Sequence, residues 1–206
     1  MELQLPTLRD HRIAMAAIVL AAGRSTRMRP ASKMLLPLND GKTLLRHSVE
    51  NVLALRPVET IVVVRPDLPE VSRDLAGLPV RYVANARYME GMGTSLATGI
   101  LALGPGVEAA LVVLGDEPFV SAGIFVRLVE AFLRERMPLT IPRYGEQFGP
   151  PTIFSRELFP LLATLEGDTG GRQIVDRQPE LACVVPFTAE ERPADVDTLK
   201  DYQALL

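Results

Sequence analysis

Between Gly23 and Leu35 the chain gathers Arg24, Arg27, Arg29 and Lys33, although the protein as a whole carries a net charge of −3. Cations concentrated on an acidic chain raise the local potential where a polyphosphate or similar anion would bind. The cluster follows directly on Ala17-Ile18-Val19-Leu20, an apolar run that stops at Ala21-Ala22-Gly23. Small residues at the end of a buried strand let backbone N–H groups approach a ligand closely. A solvated basic loop is the bland alternative on charge alone. Further along, Leu114-Gly115-Asp116-Glu117-Pro118 sets a carboxylate just past another apolar run. A carboxylate there is costly unless it meets a cation or a metal. One carboxylate beside a polyphosphate is the usual way to hold Mg2+, with phosphates and waters completing the shell. Capping the next helix is the alternative for Asp116, a task for which Ser121 is better placed. Glu117 would point to the other side of an extended chain. Together these residues describe magnesium-assisted transfer at a nucleoside triphosphate, with an acceptor docking from the second half.

The elements that must position them alternate. Strands are predicted over 16–20, 60–64, 80–83 and 110–114, and helices over 43–55, 68–75, 95–103 and 121–136. Apolar strands alternating with helices imply a mostly parallel sheet in a three-layer Rossmann-like α/β fold. Such sheets bind ligands beyond the carboxyl ends of their strands, which singles out the loops after Leu20, Val83 and Leu114. The second half reads differently. Short strands at 139–142 and 151–154, joined by Arg143-Tyr144-Gly145-Glu146-Gln147-Phe148-Gly149, suggest a hairpin-like excursion rather than another βαβ unit. A helix over 156–165, a strand around Cys183 and a last helix from Thr198 complete the chain. Residues 1–15 read as a flexible extension and 16–206 as a single domain.

Composition excludes several classes. With 48% hydrophobic and 23% charged residues the chain folds rather than remaining disordered. No apolar run approaches the roughly 20 residues of a membrane span, and the mixed N-terminus is no secretion signal. The lone Cys183 allows no internal disulfide, suits the cytoplasm and reads as a strand residue in apolar surroundings. An acidic chain with 5% aromatics offers no nucleic-acid surface. Two motifs fail on inspection. Gly41-Lys42-Thr43 lacks the earlier glycine of a P-loop, where Leu36 stands, and Gly91-Met92-Gly93 has Leu96 in place of a third dinucleotide glycine. Its two glycines still predict an open helix N-terminus able to receive a phosphate or ribose. His11 and His47 are too few for a histidine metal site.

Gly167-Asp168-Thr169-Gly170-Gly171-Arg172 ends in an arginine suited to bidentate contact with a phosphate. The structural alternative is a turn in which Thr169 caps the helix carrying Ile174 and Val175. Asp195 and Asp197, one residue apart, point to the same side of an extended segment. For them the choice lies between a ligand role and capping the last helix.

Five ordered motifs resemble the MobA-like nucleotidyltransferases: Leu20-Ala21-Ala22-Gly23-x-Ser25-x-Arg27-Met28 with Lys33, Gly91-Met92-Gly93-Thr94-Ser95-Leu96, Gly115-Asp116-x-Pro118, Gly167-Asp168-x-Gly170-x-Arg172 and Asp195-Val196-Asp197-Thr198. The chain is most similar to the branch of molybdenum-cofactor cytidylyltransferases, over residues 16–206. The resemblance implies a nucleotidyltransferase fold, NTP (CTP, with GTP second) and Mg2+ as ligands, and pyrophosphate as product. It assigns the triphosphate to Leu20, Ala21, Ala22, Gly23, Arg24, Ser25, Arg27 and Lys33, and base and ribose to the region of Asn85 and Ser95. It implies NTP binding by Gly115 as well, and metal binding by Asp116 and by Asp197 across the site; Arg27, Lys33 and Asp116 carry catalysis. Gly149, Asp168 and Arg172 fall near a phosphorylated acceptor of molybdopterin type, with a molybdoenzyme as possible client.

Two positions depart from the family pattern. Arg29-Pro30 replaces a glycine after Arg27-Met28, and Gly149-Pro150-Pro151 replaces a Gly-His-Pro. The second departure bears on the acceptor rather than the reaction, and two rivals stand beside the favoured reading. One is a sugar- or alditol-phosphate nucleotidyltransferase. The other is a non-catalytic nucleotide-binding accessory protein of molybdoenzyme maturation.

Overall fold

The computed structural model describes residues 13–23, 33–67, 69–194, 196 and 198–205. Among the described residues eight strands form one sheet in the order β3-β2-β1-β4-β7-β5-β6, with β8 pairing β5. The parallel half comprises β1 (Met15–Leu20), β2 (Thr60–Val64), β3 (Arg81–Ala84) and β4 (Ala109–Leu114). Between them run α1 (Leu44–Leu53), α2 (Glu70–Asp74) and α3 (Met92–Leu101). After α4 (Ala122–Glu135), β5 (Leu139–Tyr144) turns at Gly145 into the short β6 (Gln147–Phe148). The chain then returns as β7 (Thr152–Ser155), which lies antiparallel between β4 and β5. Then come α5 (Phe159–Leu162), α6 (Gly171–Arg177), β8 (Ala182–Phe187), parallel to β5, and α7 (Leu199–Gln203). The mostly parallel Rossmann-like sheet and its hairpin excursion match the sequence reading, and β7 and β5 extend the same sheet.

Strand alternation builds the three layers. Met15, Ala17, Val19 and Ala21 pack with Leu45, Val49 and Val52 of α1 and with Phe125 and Leu128 of α4. Ile18, Leu20 and Ala22 face the opposite way, toward Leu96 and Ile100 of α3, Leu162 of α5 and Ile174 of α6. Ile13 and Met15 are buried in the first cluster, so the domain reaches into the segment read as a flexible extension. The helix expected over 156–165 is shorter than its pattern: a 3-10 turn at Arg156–Leu158 runs into α5. Among the described residues no helix is long and apolar enough to cross a membrane.

Candidate active site

Leu20 and Leu114 are register partners at the carboxyl ends of adjacent strands, so the loops that follow leave the sheet side by side. Gly115 N–H donates to Leu20 O at 3.0 Å. A Cβ on Gly115 would stand 2.8 Å from Leu45 Cδ1 and 3.2 Å from that carbonyl, so any side chain here would have to push the buried Leu45 aside. Ser48 on α1 donates to Gly115 O at 3.2 Å, and Asn51 Nδ2 to Pro118 O at 2.8 Å. Helix α1 thus holds both ends of the Asp116 loop. Ser121 caps α4 through Ile124 N–H, which leaves Asp116 without the capping role.

Lys33 opens a 3-10 turn at Lys33–Leu35. That segment is fastened by Leu44 N–H to Leu36 O, by a bridge between Pro37 and Thr43, and by Tyr202 of α7, whose hydroxyl donates to Pro37 O. Gly41-Lys42-Thr43, which is no P-loop, closes a turn back onto Leu38 and caps α1 through Thr43. His47 is spent on the same turn, with Nε2 3.1 Å from Asp40 Oδ1. The hydrogen bond from His47 and that from Lys42 N–H hold the Asp40 carboxyl below the usual range.

The result is a close pair: Lys33 Nζ lies 2.8 Å from Asp116 Oδ2, with the two side chains 11% and 22% exposed. Asp116 of this pair lines a cleft of about 340 Å3, together with Leu20, Ala22, Gly23, Met34, Ser95 and Asp168, with Tyr88, Gly91 and Met92 at its α3 side. Ala21 is buried behind it, bonded to Val63 O. Asn85 does not line the cleft. It is 2% exposed, donates to Thr94 Oγ1 and Ser95 Oγ at 2.9 and 3.0 Å, and accepts Arg87 N–H. Its place is behind Ser95. Arg24, Ser25, Arg27, Asp195 and Asp197 lie outside the described residues, as does His11.

A second cavity of about 240 Å3 shares Leu20, Met92 and Leu114 with the cleft. Its walls are apolar, chiefly Leu96, Val112, Ile141, Phe148 and Phe154, with Thr152, Arg172 and Gln173 as polar side chains. Gly149 and Pro150 form part of its lining, so two of the three residues assigned to the acceptor lie here. Asp168, the third, faces the first cleft. Arg172 is 70% exposed at the side-chain level, with only a loose 3.7 Å contact to Asp176. Tyr144, not singled out from sequence, supports this wall: its hydroxyl donates to Pro150 O at 3.1 Å, and a Cβ added to Gly149 would meet its ring at 3.4 Å.

Two sequence expectations change. The N-terminus of α3 is not open: Gly93 N–H donates to Gly167 O at 2.7 Å and Met92 N–H to Asp168 Oδ1 at 3.2 Å. The glycines serve this contact, since a Cβ on Gly91 would stand 2.3 Å from Gly167 C. Thr169 does not cap α6. Its hydroxyl donates to Glu166 O, and Gly170 takes the cap position with its N–H on Gln173 Oε1. Thr198 itself caps α7 by accepting from Asp201 N–H.

The donor chemistry suits a hard divalent cation: Asp116 offers carboxylate oxygens at the cleft. Among the described residues no three His, Cys, Asp or Glu side chains converge.

Residues 17–182 match the MobA-like NTP transferase domain. The chain belongs to the MobA-like NTP transferase family. Within that family, nicotine blue oxidoreductase of Paenarthrobacter nicotinovorans is 30% identical over 92% of this chain and 95% of its own length. The bifunctional protein GlmU of Stutzerimonas stutzeri is 28% identical over 87% of this chain, which spans only 34% of that longer protein. Among solved structures, the homologue of Rv0371c from Mycobacterium sp. strain JC1 superimposes with a TM-score of 0.78 at 30% identity, covering 93% of this chain and 94% of the other. Rv0371c of Mycobacterium tuberculosis, solved as a complex with manganese, gives 0.75 at 27%, covering 94% and 98%. This member of the family is a nucleotidyltransferase acting on a nucleoside triphosphate.

Proposed function

We propose that the protein moves a nucleoside monophosphate from CTP, or alternatively GTP, onto a phosphorylated pterin acceptor of the molybdopterin type. The observation that carries this reading is the Lys33–Asp116 pair, whose Asp116 lines a cleft that shares Leu20, Met92 and Leu114 with an apolar pocket. Asp116, with Asp197 assigned by resemblance, would hold Mg2+. Bound there, Mg2+ supplies charge neutralisation at the α-phosphate. An oxygen of the acceptor's phosphate attacks the α-phosphorus, the bond to the β-phosphate oxygen breaks, and pyrophosphate leaves. A phosphate nucleophile is already ionised near neutral pH, so no side chain must remove a proton. The residues align and neutralise: Gly23 N–H and the Lys33 ammonium act on the triphosphate, with Arg27 from the same loop. Lys33, held by Asp116 without ligand, is placed to shift its charge to the departing pyrophosphate.

The pocket favours a flat ring over a sugar or alditol. Hydroxyls buried against Val112, Ile141, Phe148 and Phe154 would lack partners, at about 1–3 kcal/mol each. A ring can lay its faces on those side chains and turn its polar edge to Thr152, Gln173 and Arg172. The test is mass spectrometry of nucleotide conjugates formed when the protein meets cell extract, Mg2+ and each NTP in turn. A CMP or GMP adduct of a pterin phosphate is the expected product; a sugar-phosphate adduct would overturn the acceptor assignment.

A further inference from the structure

We propose that residues 166–173 form a latch coupling the nucleotide cleft to the acceptor pocket, with Asp168 as its positioning residue. The proposal rests on the reading of those cavities as nucleotide and acceptor subsites. At one end the segment docks on the first turn of α3. Gly167 O takes Gly93 N–H at 2.7 Å, and Asp168 Oδ1 takes Met92 N–H at 3.2 Å. These partners are 74 and 76 residues apart in the chain, so the contact ties together remote parts of the fold. It is tightly fitted: a Cβ on Gly93 would lie 2.6 Å from Thr169 Oγ1 and 2.9 Å from Glu166 O. Arg87 adds an exposed ion pair to Glu166 at 2.7 Å.

At the other end the segment becomes α6. Gln173 fastens it, accepting Gly170 N–H at 2.7 Å and donating to Asp168 O at 3.1 Å. Gly170, Gly171, Arg172 and Gln173 then line the apolar pocket, while Asp168 lines the cleft. Helix α3 contributes to both cavities through Met92, and to the cleft through Ser95. A nucleotide that orders the cleft therefore orders Asp168, and through the Gln173 bonds it sets where Arg172 enters the pocket. Binding that orders a shared element lowers the ordering cost for the second ligand.

Hydrogen exchange of the intact chain tests this. Without nucleotide, Asp168→Ala should speed exchange across both 91–96 and 166–173, by roughly fivefold, the equilibrium weight of one net hydrogen bond. Asp168→Asn, whose amide oxygen still accepts Met92 N–H, should restore the wild-type rates. With CTP and Mg2+ added to saturation, exchange should slow in both segments of the wild type. In Asp168→Ala and in Gln173→Ala it should slow in 91–96 alone. Acceleration confined to 166–173 in the nucleotide-free Asp168→Ala chain would overturn the latch, as would an Asn variant that behaves like Ala. Joint slowing retained in both Ala variants would overturn it too. A wild-type chain that bound neither CTP nor GTP would instead count against the transfer reading, and the nucleotide-free comparison decides the latch independently.

Discussion

Replacing Lys33 with methionine removes the ammonium 2.8 Å from Asp116 Oδ2 while keeping most of the side-chain volume. Two separable losses should follow. The first is stability. A fully buried pair broken on one side costs about 3–5 kcal/mol. With side chains 11% and 22% exposed, water relieves part of the stranded charge, and about 1–2 kcal/mol remains. For a chain of this size that corresponds to roughly 2–8 °C in Tm. The second is turnover. Withdrawing one preorganised cation from a developing phosphate charge costs about 10²–10³ in kcat. The stability loss leaves the protein folded at 25 °C, so it does not account for such a fall. Calorimetry fixes Tm, and coupled pyrophosphate release at 25 °C with CTP, Mg2+ and acceptor-containing extract fixes kcat. Lys33→Arg should recover most of the stability and part of the rate. A folded Lys33→Met protein turning over within threefold of wild type would refute the role, as would an activity loss that merely tracks unfolding.

Asp116→Asn should raise the metal concentration needed for half-maximal activity by roughly tenfold or more, since ligand charge sets affinity for hard cations; an unchanged metal titration would remove Asp116 from the metal site. Gly115→Ala should destabilise by about 1–3 kcal/mol in denaturant melts, because its Cβ would meet Leu45 and the Leu20 carbonyl; a wild-type midpoint would contradict the close-approach argument. Tyr144→Phe should cost about 1 kcal/mol and raise the acceptor KM more than the NTP KM, by freeing the Pro150 carbonyl. Burial, and then the charge of Glu117, push the Tyr144 pKa well up. The folded chain thus keeps a proton that the unfolded one releases near pH 10, and stability falls as pH rises past about 10. Melts at pH 9 and 11 should show a larger loss for wild type than for Tyr144→Phe, and equal losses would exclude Tyr144 as the source.

The parallel half of the sheet was legible because β1, β2 and β4 are apolar on both faces and end at small or turn residues. The placement of Asp116 past β4 followed from that alone, and so did the Ser121 cap. What sequence did not carry were contacts between remote segments. Gly91 and Gly93 signalled a close approach, but nothing local indicated that the approaching group was Gly167 of the same chain rather than a ligand phosphate. The same blind spot hid the tie between Tyr202 and Pro37, which steadies the Lys33 segment, and the prop of Tyr144 beneath Gly149 and Pro150. Thr169 has the right residue type for a cap, yet its hydroxyl is drawn to Glu166 O, leaving Gly170 to open α6. Tyr88 and Met34 at the cleft could have been suspected, since each follows a loop already marked by β3 or by the cation cluster.

The claim that these residues perform nucleotidyl transfer is tested most directly by following two labels in parallel, with α-labelled and γ-labelled CTP, Mg2+ and acceptor-containing extract. The account predicts that the α-label appears on the acceptor while the γ-label leaves as pyrophosphate in equal amount, and that both events vanish in Asp116→Asn. Transfer of the γ-label, or both labels remaining on CTP that is bound but never consumed, would contradict it.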